Sequence, residues 1–455
     1  MRFFRFRDRS ATPAPTDDAR EGAEETEESS SAARAADSAD EADEEIDYAV
    51  PDEETDEDTL WRDRAAAVIP GGASTGSKRP EALYGEAGTG PTHFMRARGC
   101  EVVTASGAKL VDCTMALGAV ALGYADEAVT QHVIGAVAAG SVSGLSHALE
   151  VEVAERLCDT IPCAEAVRFL KTGAEATAAA VRIARTATGR STVVGSGYFG
   201  WLDWCTDAPG VPPAARERFV PVPWGDIASL EQATAAAGDD LAAVILEPVV
   251  ERLPDAGWIA AARAICDRRG AVLIFDEIKT GFRLRRGGYM EESGVLPDLA
   301  TFGKAMANGF PLAAVVGKGA VMDAARRTWI SSTLAGEATA LAAATAVLDR
   351  HDERDVCGEL AAIGAQMRAA VAEAIERSGV GGVTLDGIDP MWLLRWDDPA
   401  RQSRFQELAL AQGVLFKRGA YNFSSLAHDD RALLAIERAA SNALVELRDE
   451  ERGSP

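Results

Sequence analysis

Two carboxylates and a lysine follow apolar segments in the second half of the chain, and their spacing suits amine chemistry. Asp276 and Glu277 come directly after the uninterrupted apolar run 271–275, and Lys304 ends the segment 298–304. An apolar run that does not alternate is typical of a strand buried on both faces of a parallel sheet. Ligands of open α/β sheets bind at the carboxyl ends of the strands, so we expect these side chains to face a ligand.

A lysine amine and a strand-end carboxylate are the two groups that an enzyme needs to use pyridoxal phosphate (PLP). The lysine forms a Schiff base with the cofactor, and the carboxylate keeps the pyridine nitrogen protonated. Each residue taken singly is better explained as a solvated side chain in a turn. The prediction therefore depends on the whole segment 271–311.

The segment also resembles a known family signature. Asp276 to Arg283 reads Asp-Glu-Ile-Lys-Thr-Gly-Phe-Arg, and Gly303-Lys304 follows. This is similar to the class III PLP-dependent aminotransferases, in particular to their glutamate-1-semialdehyde aminomutase-like branch, and the resemblance extends over about 60–447. It implies an α/β chain of PLP-dependent transferase fold type I, with a mostly parallel central sheet in the large domain. We expect the domains 59–110 (N-terminal part of a small α+β domain), 111–345 (large PLP-binding domain) and 346–455 (C-terminal part of the small domain).

The cofactor site is predicted partly from the residues and partly from the resemblance. A strand, a turn with Gly173 and a helix start form a phosphate site, because the helix N-terminus offers free N–H groups. In the family this glycine and the next residue hold the phosphate, so Gly173 and Ala174 take that role here, Ala174 through its backbone alone. The resemblance implies that Tyr198 stacks on the pyridine ring, with Lys304 and Asp276 as the catalytic pair.

The resemblance implies further site residues. Glu247 ends another apolar strand and would lie in the site wall. Thr333 would reach the phosphate of the neighbouring subunit, so we expect a homodimer with shared active sites. Ser74, His147 and Glu337 are the expected substrate-binding residues.

Three lysines fall near the predicted site. Lys171 precedes the phosphate turn and lies at the wrong end of the cofactor for a covalent link. Lys279 lies three residues after Asp276, where the family commonly has Gln, Met or Val, and we expect it near the phenolic side of the ring. Lys304 alone has the Gly-Lys context, so we predict that it binds the cofactor covalently.

A second pattern points to a different class of enzyme. The segment 195–200 matches the dinucleotide fingerprint G-x-G-x-x-G. That fingerprint requires a helix opening at the third glycine and an acidic residue after a second strand. A proline-containing loop follows instead, so the pattern does not favour an oxidoreductase.

Composition excludes several other classes. The chain has 455 residues and a net charge of −25; residues 1–60 hold 21 Asp and Glu against 6 Arg. The segment 1–58 is acidic and poor in aromatic residues, which predicts a disordered tail. An acidic body does not favour nucleic-acid binding. Seven scattered cysteines have no zinc spacing, so we expect no metal and a reducing, cytoplasmic setting, and no apolar run is long enough to span a membrane.

The predicted reaction moves an amino group from an amino donor to a small aldehyde or ketone by ping-pong chemistry. One alternative is intramolecular transfer, as in glutamate-1-semialdehyde 2,1-aminomutase, but the loop 71–79 and the segment 335–338 do not match that enzyme. These segments look more like branches associated with polysaccharide and specialised-metabolite biosynthesis, so the acceptor could be sugar-like. A non-catalytic PLP-fold binding protein is the other alternative, and the retention of Asp276 and Lys304 argues against it.

Overall fold

The structure is a computed structural model that describes residues 56–86 and 88–453. Most of the predicted acidic tail, 1–55, lies outside the described residues. Its last three residues lie inside: Asp56 caps the helix α1, Glu57–Val68, by accepting a 3.2 Å hydrogen bond from the Thr59 N–H. Helical structure is therefore described before the predicted boundary at 58.

The N-terminal part combines helices with a small sheet. After α1 come the helix α2 (Pro80–Tyr84) and three antiparallel strands, β1 (Phe94–Arg98), β2 (Glu101–Thr104) and β3 (Lys109–Asp112). Two longer helices lead to the centre of the molecule, α3 (Glu127–Ala139) and α4 (Ala148–Thr160).

The central part alternates strands and helices. Its strands are β4 (Ala166–Leu170), β5 (Thr192–Ser196), β6 (Phe219–Pro221), β7 (Leu241–Leu246), β8 (Val272–Asp276), β9 (Leu299–Phe302) and β10 (Ala313–Gly317). Its helices are α5 (Gly173–Thr188), α6 (Pro213–Arg216), α7 (Ile227–Ala237), α8 (Ala256–Arg269), α9 (Met290–Ser293) and α10 (Gly319–Met322). Short helical turns lie at Met115–Gly118, Gly76–Lys78, Gly238–Asp240, Lys304–Ala307 and Asp323–Arg327.

The seven central strands form one sheet in the order β4-β10-β9-β8-β7-β5-β6. The neighbours from β9 to β6 are all parallel, and β10 alone runs antiparallel to β9 and β4. This confirms the predicted mostly parallel α/β sheet. The carboxyl ends of β5, β7, β8 and β9 therefore meet at one edge, where the predicted site residues follow.

Both faces of this sheet are buried, as the non-alternating apolar runs predict. Along β8, Leu273 and Phe275 pack into one hydrophobic cluster while Val272 and Ile274 pack into another on the opposite face. Helix α5 covers the second face, and α8 covers the first. No helix within the described residues is long and apolar enough to cross a membrane.

The C-terminal part returns to the N-terminal sheet. It contains the helices α11 (Ala338–Glu353), α12 (Val356–Ser378), α13 (Pro399–Ala411) and α14 (Asp430–Gly453), and the strands β11 (Val383–Ile388), β12 (Met391–Trp396), β13 (Val414–Leu415) and β14 (Asn422–Phe423). Strand β13 pairs in parallel with β3, and β11, β12 and β14 form a third sheet. The N- and C-terminal segments therefore share a sheet, as expected for the small domain.

The predicted domain boundaries fall inside secondary-structure elements. The position 110/111 divides β3, and 345/346 divides α11. The described residues belong to one compact unit. The division into a large and a small domain therefore stays a prediction, with boundaries that must lie outside these two elements.

Candidate active site

A cavity of about 400 Å³ opens where β7, β8 and β9 end. Six predicted residues contribute to its lining: Gly173, Ala174, Tyr198, Glu247, Asp276 and Lys304. The two additional lysines, Lys171 and Lys279, line it as well. The structure thus brings together the residues that the sequence assigns to the cofactor, with the exception of Thr333.

Asp276 is the last residue of β8 and is only 5% exposed. Its Oδ1 accepts hydrogen bonds of 3.1 Å from the Thr301 hydroxyl and from the Ile278 N–H. Burial raises the pKa of Asp276 to about 7, and the Glu247 carboxylate adds to the effect. No ion pair to Asp276 exists among the described residues, so this buried carboxylate is suited to accept a charged N–H group from a ligand.

Lys304 follows β9 and the residue Gly303, and it adopts φ +42°. This left-handed conformation is uncommon for a residue with a side chain and costs conformational energy, as often occurs at functional sites. Asn308 follows the helical turn Lys304–Ala307 and anchors it to the N-terminal part of the chain. Its side-chain oxygen accepts 2.9 Å hydrogen bonds from the Ala121 and Leu122 N–H groups. The backbone thus places the lysine amine in the cavity at the cost of local strain.

Electrostatics distinguishes the two lysines beside Asp276. Burial lowers the pKa of Lys304, and the Lys279 ammonium lowers it further, against the opposing effect of Asp276. Burial alone would also lower the pKa of Lys279, but Glu247 and Tyr421 raise it overall. Because only the neutral amine is nucleophilic, Lys304 is the better candidate for a covalent link to an aldehyde.

Helix α5 begins at the edge of the cavity with a capping box. The Thr172 hydroxyl accepts from the Glu175 N–H, and the Glu175 carboxylate accepts from the Thr172 N–H. The other N–H groups of the first turn have no partner within a helix, and they form an anion site. A Cβ atom on Gly173 would lie 2.7 Å from Ile278 Cδ1, and one on Gly200 would lie 2.8 Å from Ala174 Cα. Glycine is therefore required at position 200, where the neighbour is backbone and φ is +99°, whereas at position 173 the Ile278 side chain would have to shift.

The loop after β5 presents one aromatic ring to the cavity and buries the next. Tyr198 is 74% exposed, and its backbone N–H donates a 2.8 Å hydrogen bond to Glu247 Oε2. Phe199, the next residue, is buried against Trp204 and Phe219. The ring of Tyr198 is free to cover a ligand, whereas Phe199 belongs to the core.

The glycines of the segment 195–200 have packing roles. A Cβ on Gly195 would lie 2.5 Å from the Phe219 ring, and one on Gly197 would lie 2.9 Å from Glu247 Cγ. No helix begins at Gly200, and the next described helix is α6. The dinucleotide-binding alternative therefore lacks the helix that it requires.

Four predicted residues do not line this cavity. His147 and Thr333 line a second, larger cavity of about 560 Å³, and Ser74 is exposed on another loop. Glu337 lies between the two cavities, because it forms an ion pair with Lys171, which lines the first cavity. The assignment of these residues to substrate or to a partner subunit stays a prediction.

Sequence reasoning missed some residues of the site. Thr301 lies opposite Asp276 in the β8–β9 register, so pairing the two predicted strands would have found it. Tyr421 approaches Lys279 from the C-terminal part, and no local signal indicates this. Within the described residues, no cluster of three or more His, Cys, Asp or Glu could hold a metal ion.

The side chains present fit PLP. Lys304 can hold the aldehyde carbon, and the unpaired carboxylate of Asp276 can accept the N–H of the pyridine ring. The first turn of α5, with Gly173 and Ala174, can bind the phosphate, and Tyr198 can cover the ring.

Comparisons with known proteins agree with this site. The family model for aminotransferase class-III matches residues 84–203 and 224–426. A 3-aminobutyryl-CoA aminotransferase of Cloacimonas acidaminovorans is 33% identical over 70% of this chain and 78% of its own length. A glutamate-1-semialdehyde 2,1-aminomutase of Sorangium cellulosum is 33% identical over 84% of this chain and 95% of its own length.

Solved structures show the same fold. The PLP internal aldimine form of the FumI protein of Sphingopyxis sp. MTA144 has a TM-score of 0.82 at 28% identity, covering 88% of this chain and 98% of its own. An omega-transaminase of Sphaerobacter thermophilus has a TM-score of 0.78 at 26% identity, covering 86% and 98%. With the matched family model and the assembled site, these findings show that the chain belongs to the class III aminotransferases and is a PLP-dependent enzyme.

Proposed function

We propose that this enzyme moves an amino group from an amino donor to a separate small aldehyde or ketone in two half-reactions. The observation that carries the proposal is that the Lys304 amine and the Asp276 carboxylate line one cavity, at the ends of adjacent parallel strands. PLP, when bound, supplies the carbonyl group that exchanges amines and the ring that accepts electrons.

Each side chain then has a defined task. Lys304 Nζ accepts the proton from the substrate carbon and returns a proton, as a general base and then a general acid. Asp276 Oδ1 and Oδ2 stabilise positive charge on the ring nitrogen, which strengthens the electron sink. The first-turn N–H groups of α5 would hold the phosphate, and Tyr198 would orient the ring.

The charges of the cavity favour acceptors without a carboxylate. Besides Lys304, the cations that line the cavity are Lys171 and Lys279, and both are ion-paired, with Glu337 at 2.7 Å and Glu247 at 3.0 Å. A substrate carboxylate would have to break one of these pairs and leave a glutamate unpaired in a largely buried site. We therefore favour a neutral, sugar-like or related acceptor from the biosynthesis of a polysaccharide or specialised metabolite.

Intramolecular transfer is the second candidate, because the Sorangium cellulosum relative that covers 84% of this chain is named an aminomutase. The paired cations weigh against it, since glutamate 1-semialdehyde carries a carboxylate. A purified aminomutase would convert glutamate 1-semialdehyde without any added donor or acceptor.

We further propose a homodimer with shared active sites. The larger cavity is bordered by apolar side chains that a solitary chain would leave in water, including Val142 and Leu145. Such exposed apolar residues mark interaction surfaces. Thr333, on the same surface, would then reach the phosphate held by the neighbouring subunit. All seven cysteines are free, which supports a reducing, cytoplasmic setting.

The test is a screen of amino donors against the PLP-loaded enzyme, monitored by the absorption of the bound cofactor. A donor of the proposed reaction changes the spectrum, and a carbonyl acceptor added after removal of the donor restores it. Turnover of glutamate 1-semialdehyde alone would instead identify an aminomutase. A cofactor spectrum that no donor or semialdehyde changes would identify a non-catalytic binding protein.

A further inference from the structure

A second lysine is fixed inside the cofactor cavity by three contacts. Lys279 Nζ lies 3.0 Å from Glu247 Oε1 and 3.4 Å from the Tyr421 hydroxyl oxygen. It also lies 4.6 Å from the centre of the Tyr421 ring, over its face. A carboxylate, a hydroxyl oxygen and an aromatic face all stabilise an ammonium group rather than a neutral amine.

The partners of Lys279 are themselves held in place. The Tyr421 hydroxyl donates a 2.7 Å hydrogen bond to the Val250 carbonyl, so its oxygen lone pairs remain available to the ammonium. Glu247 Oε2 accepts from the Tyr198 N–H, and the Glu247 carbonyl accepts from the Trp224 indole at 3.0 Å. The positive charge of Lys279 is therefore fixed in position and does not swing out to solvent.

We propose that Lys279 is a positioning residue of the catalytic lysine: its ammonium, fixed by Glu247 and Tyr421, is a permanent positive charge that keeps Lys304 a neutral, reactive amine. The inference deepens the proposed function and rests on it, because that function gives Lys304 its role. A neutral Lys304 can attack an aldehyde and can accept a proton from the substrate carbon, whereas an ammonium can do neither.

Some of the charges around Lys304 raise its pKa and others lower it. Burial disfavours its charged form, and after burial the Lys279 ammonium has the largest effect. Asp276 and Glu247 favour the charged form, and Arg283 disfavours it. Lys171 also lines the cavity but is paired with Glu337. With two carboxylates opposing, the Lys279 ammonium adds to the effect of burial in lowering the pKa of Lys304.

The experiment measures the protonation of Lys304 directly, in the full-length protein freed of PLP. Formaldehyde and cyanoborohydride label amines in their neutral form, and peptide mass spectrometry reports the labelling of each lysine against pH. The exposed Lys109 serves as an internal reference. In the wild-type protein the pH midpoint of Lys304 should lie below that of Lys109.

Lys279→Met should move the Lys304 midpoint upward by about one pH unit, which slows its labelling about tenfold below the midpoint. Lys279→Met combined with Glu247→Gln removes one charge of each sign, so the midpoint should return toward the wild-type value. Lys279→Arg keeps the charge and should keep the midpoint. Lys318→Met, which removes a lysine paired with Asp298, is the matched control and should change nothing.

An unchanged or lowered midpoint in Lys279→Met overturns the inference, and so does a wild-type Lys304 midpoint at or above that of Lys109. Lys279→Gln replaces Lys279→Met if the latter does not fold, as judged by circular dichroism. The labelling does not depend on substrate turnover. A Lys304 that behaves as expected in an enzyme that no donor converts would therefore contradict the proposed function and not this inference.

Discussion

Lys171 Nζ lies 2.7 Å from Glu337 Oε1, and both side chains are more than four-fifths buried. Lys171 precedes the phosphate turn at the start of α5. Glu337 caps α11 by accepting hydrogen bonds from the Thr339 and Ala340 N–H groups. This one ion pair therefore links the cofactor cavity to the start of α11, next to Gly336 of the second cavity, which indicates a structural role for a residue predicted to bind substrate.

Glu337→Gln should lower the free energy of unfolding by about 1–3 kcal/mol, because it leaves the Lys171 ammonium without its carboxylate. Burial alone would raise the pKa of Glu337, but the hydrogen bonds from Lys171 and Thr339 hold it below its usual range. A depressed carboxyl pKa stabilises the fold above the pKa of the unfolded chain and ceases to do so as the pH falls through the folded value. The difference between variant and wild type should therefore shrink below about pH 4.

Urea denaturation at pH 7 and at pH 3.5 measures this difference. Glu353→Gln is the matched control, because it removes an exposed ion pair with Arg350 on the same helix and should cost far less. Equal losses of stability in the two variants at pH 7 would contradict the structural role of Glu337.

Lys304→Ala should abolish the covalent link to PLP while the protein remains folded. The substitution removes a partly buried amine, and the strained φ of +42° remains for any residue with a Cβ atom, so little stability is gained or lost. Borohydride reduction of the PLP-loaded wild-type enzyme, followed by peptide mapping, should place the cofactor on Lys304. A label on Lys279 or Lys171 would refute the assignment, and Lys318→Ala is the control that should retain the link.

Asp276→Asn should slow the donor half-reaction by orders of magnitude while PLP stays bound through Lys304 and the α5 N-terminus. The amide keeps the shape of the carboxylate but does not stabilise a positive ring nitrogen in the transition state. Single-turnover absorption measurements with one donor provide the rate. A rate within a few-fold of wild type would remove Asp276 from the mechanism.

Asp276 should also make the PLP-free protein sensitive to pH. Its pKa is raised by burial from 3.8 to about 7, so the folded chain binds an extra proton between these values. Stability attributable to this group is present below the unfolded pKa and is lost as the pH rises through the folded one. Relative to Asp276→Asn, the wild-type protein should thus lose stability from about pH 4 to pH 7 and no further above. A difference in the free energy of unfolding between the two proteins that stays constant over this range would contradict the raised pKa. Glu277 is present in both proteins and therefore does not affect the comparison.

Sequence predicted the central strands well because burial on both faces leaves a strong local signal. The runs Ala166–Leu170 and Leu241–Leu246 begin and end in the structure where the apolar pattern places them. In contrast, β11 and α13 carry no comparable local signal, since β11 is only partly buried and α13 is mixed in composition. A local pattern of hydrophobic residues does not show which strands of the C-terminal part pair with each other.

The site shows the same limit. Lys304 and Asp276 could be predicted because strand ends carry them to a common edge. The contact of Lys279 with Tyr421 joins residues that are 142 positions apart in the sequence. Its contact with Glu247 joins the ends of two adjacent strands, β8 and β7. Only the folded chain shows that Lys279 is an ion-paired ammonium and Lys304 is not.

The acidic tail should be dispensable, and the described start of the fold sets the point at which a truncation must stop. Asp58 accepts hydrogen bonds from the Ala105 N–H at 2.9 Å and the Ser106 hydroxyl at 2.6 Å, which fasten α1 to the turn between β2 and β3. Asp56 caps the same helix. A chain that begins at residue 55 keeps both carboxylates, whereas one that begins at residue 60 loses both.

We therefore expect the chain 55–455 to match the full-length enzyme in urea denaturation, PLP binding and donor half-reaction rate, because no proposed site residue lies before Ser74. The chain 60–455 and full-length Asp58→Ala should both unfold at lower urea concentrations, with a free energy of unfolding lower by about 1–2 kcal/mol, since the partly buried Ala105 N–H loses its acceptor. Reduced PLP binding or half-reaction rate in the chain 55–455 would show that the acidic segment contributes to the active enzyme. Equal stability of the chains beginning at 55 and at 60 would instead show that the Asp58 contacts do not hold α1 in place.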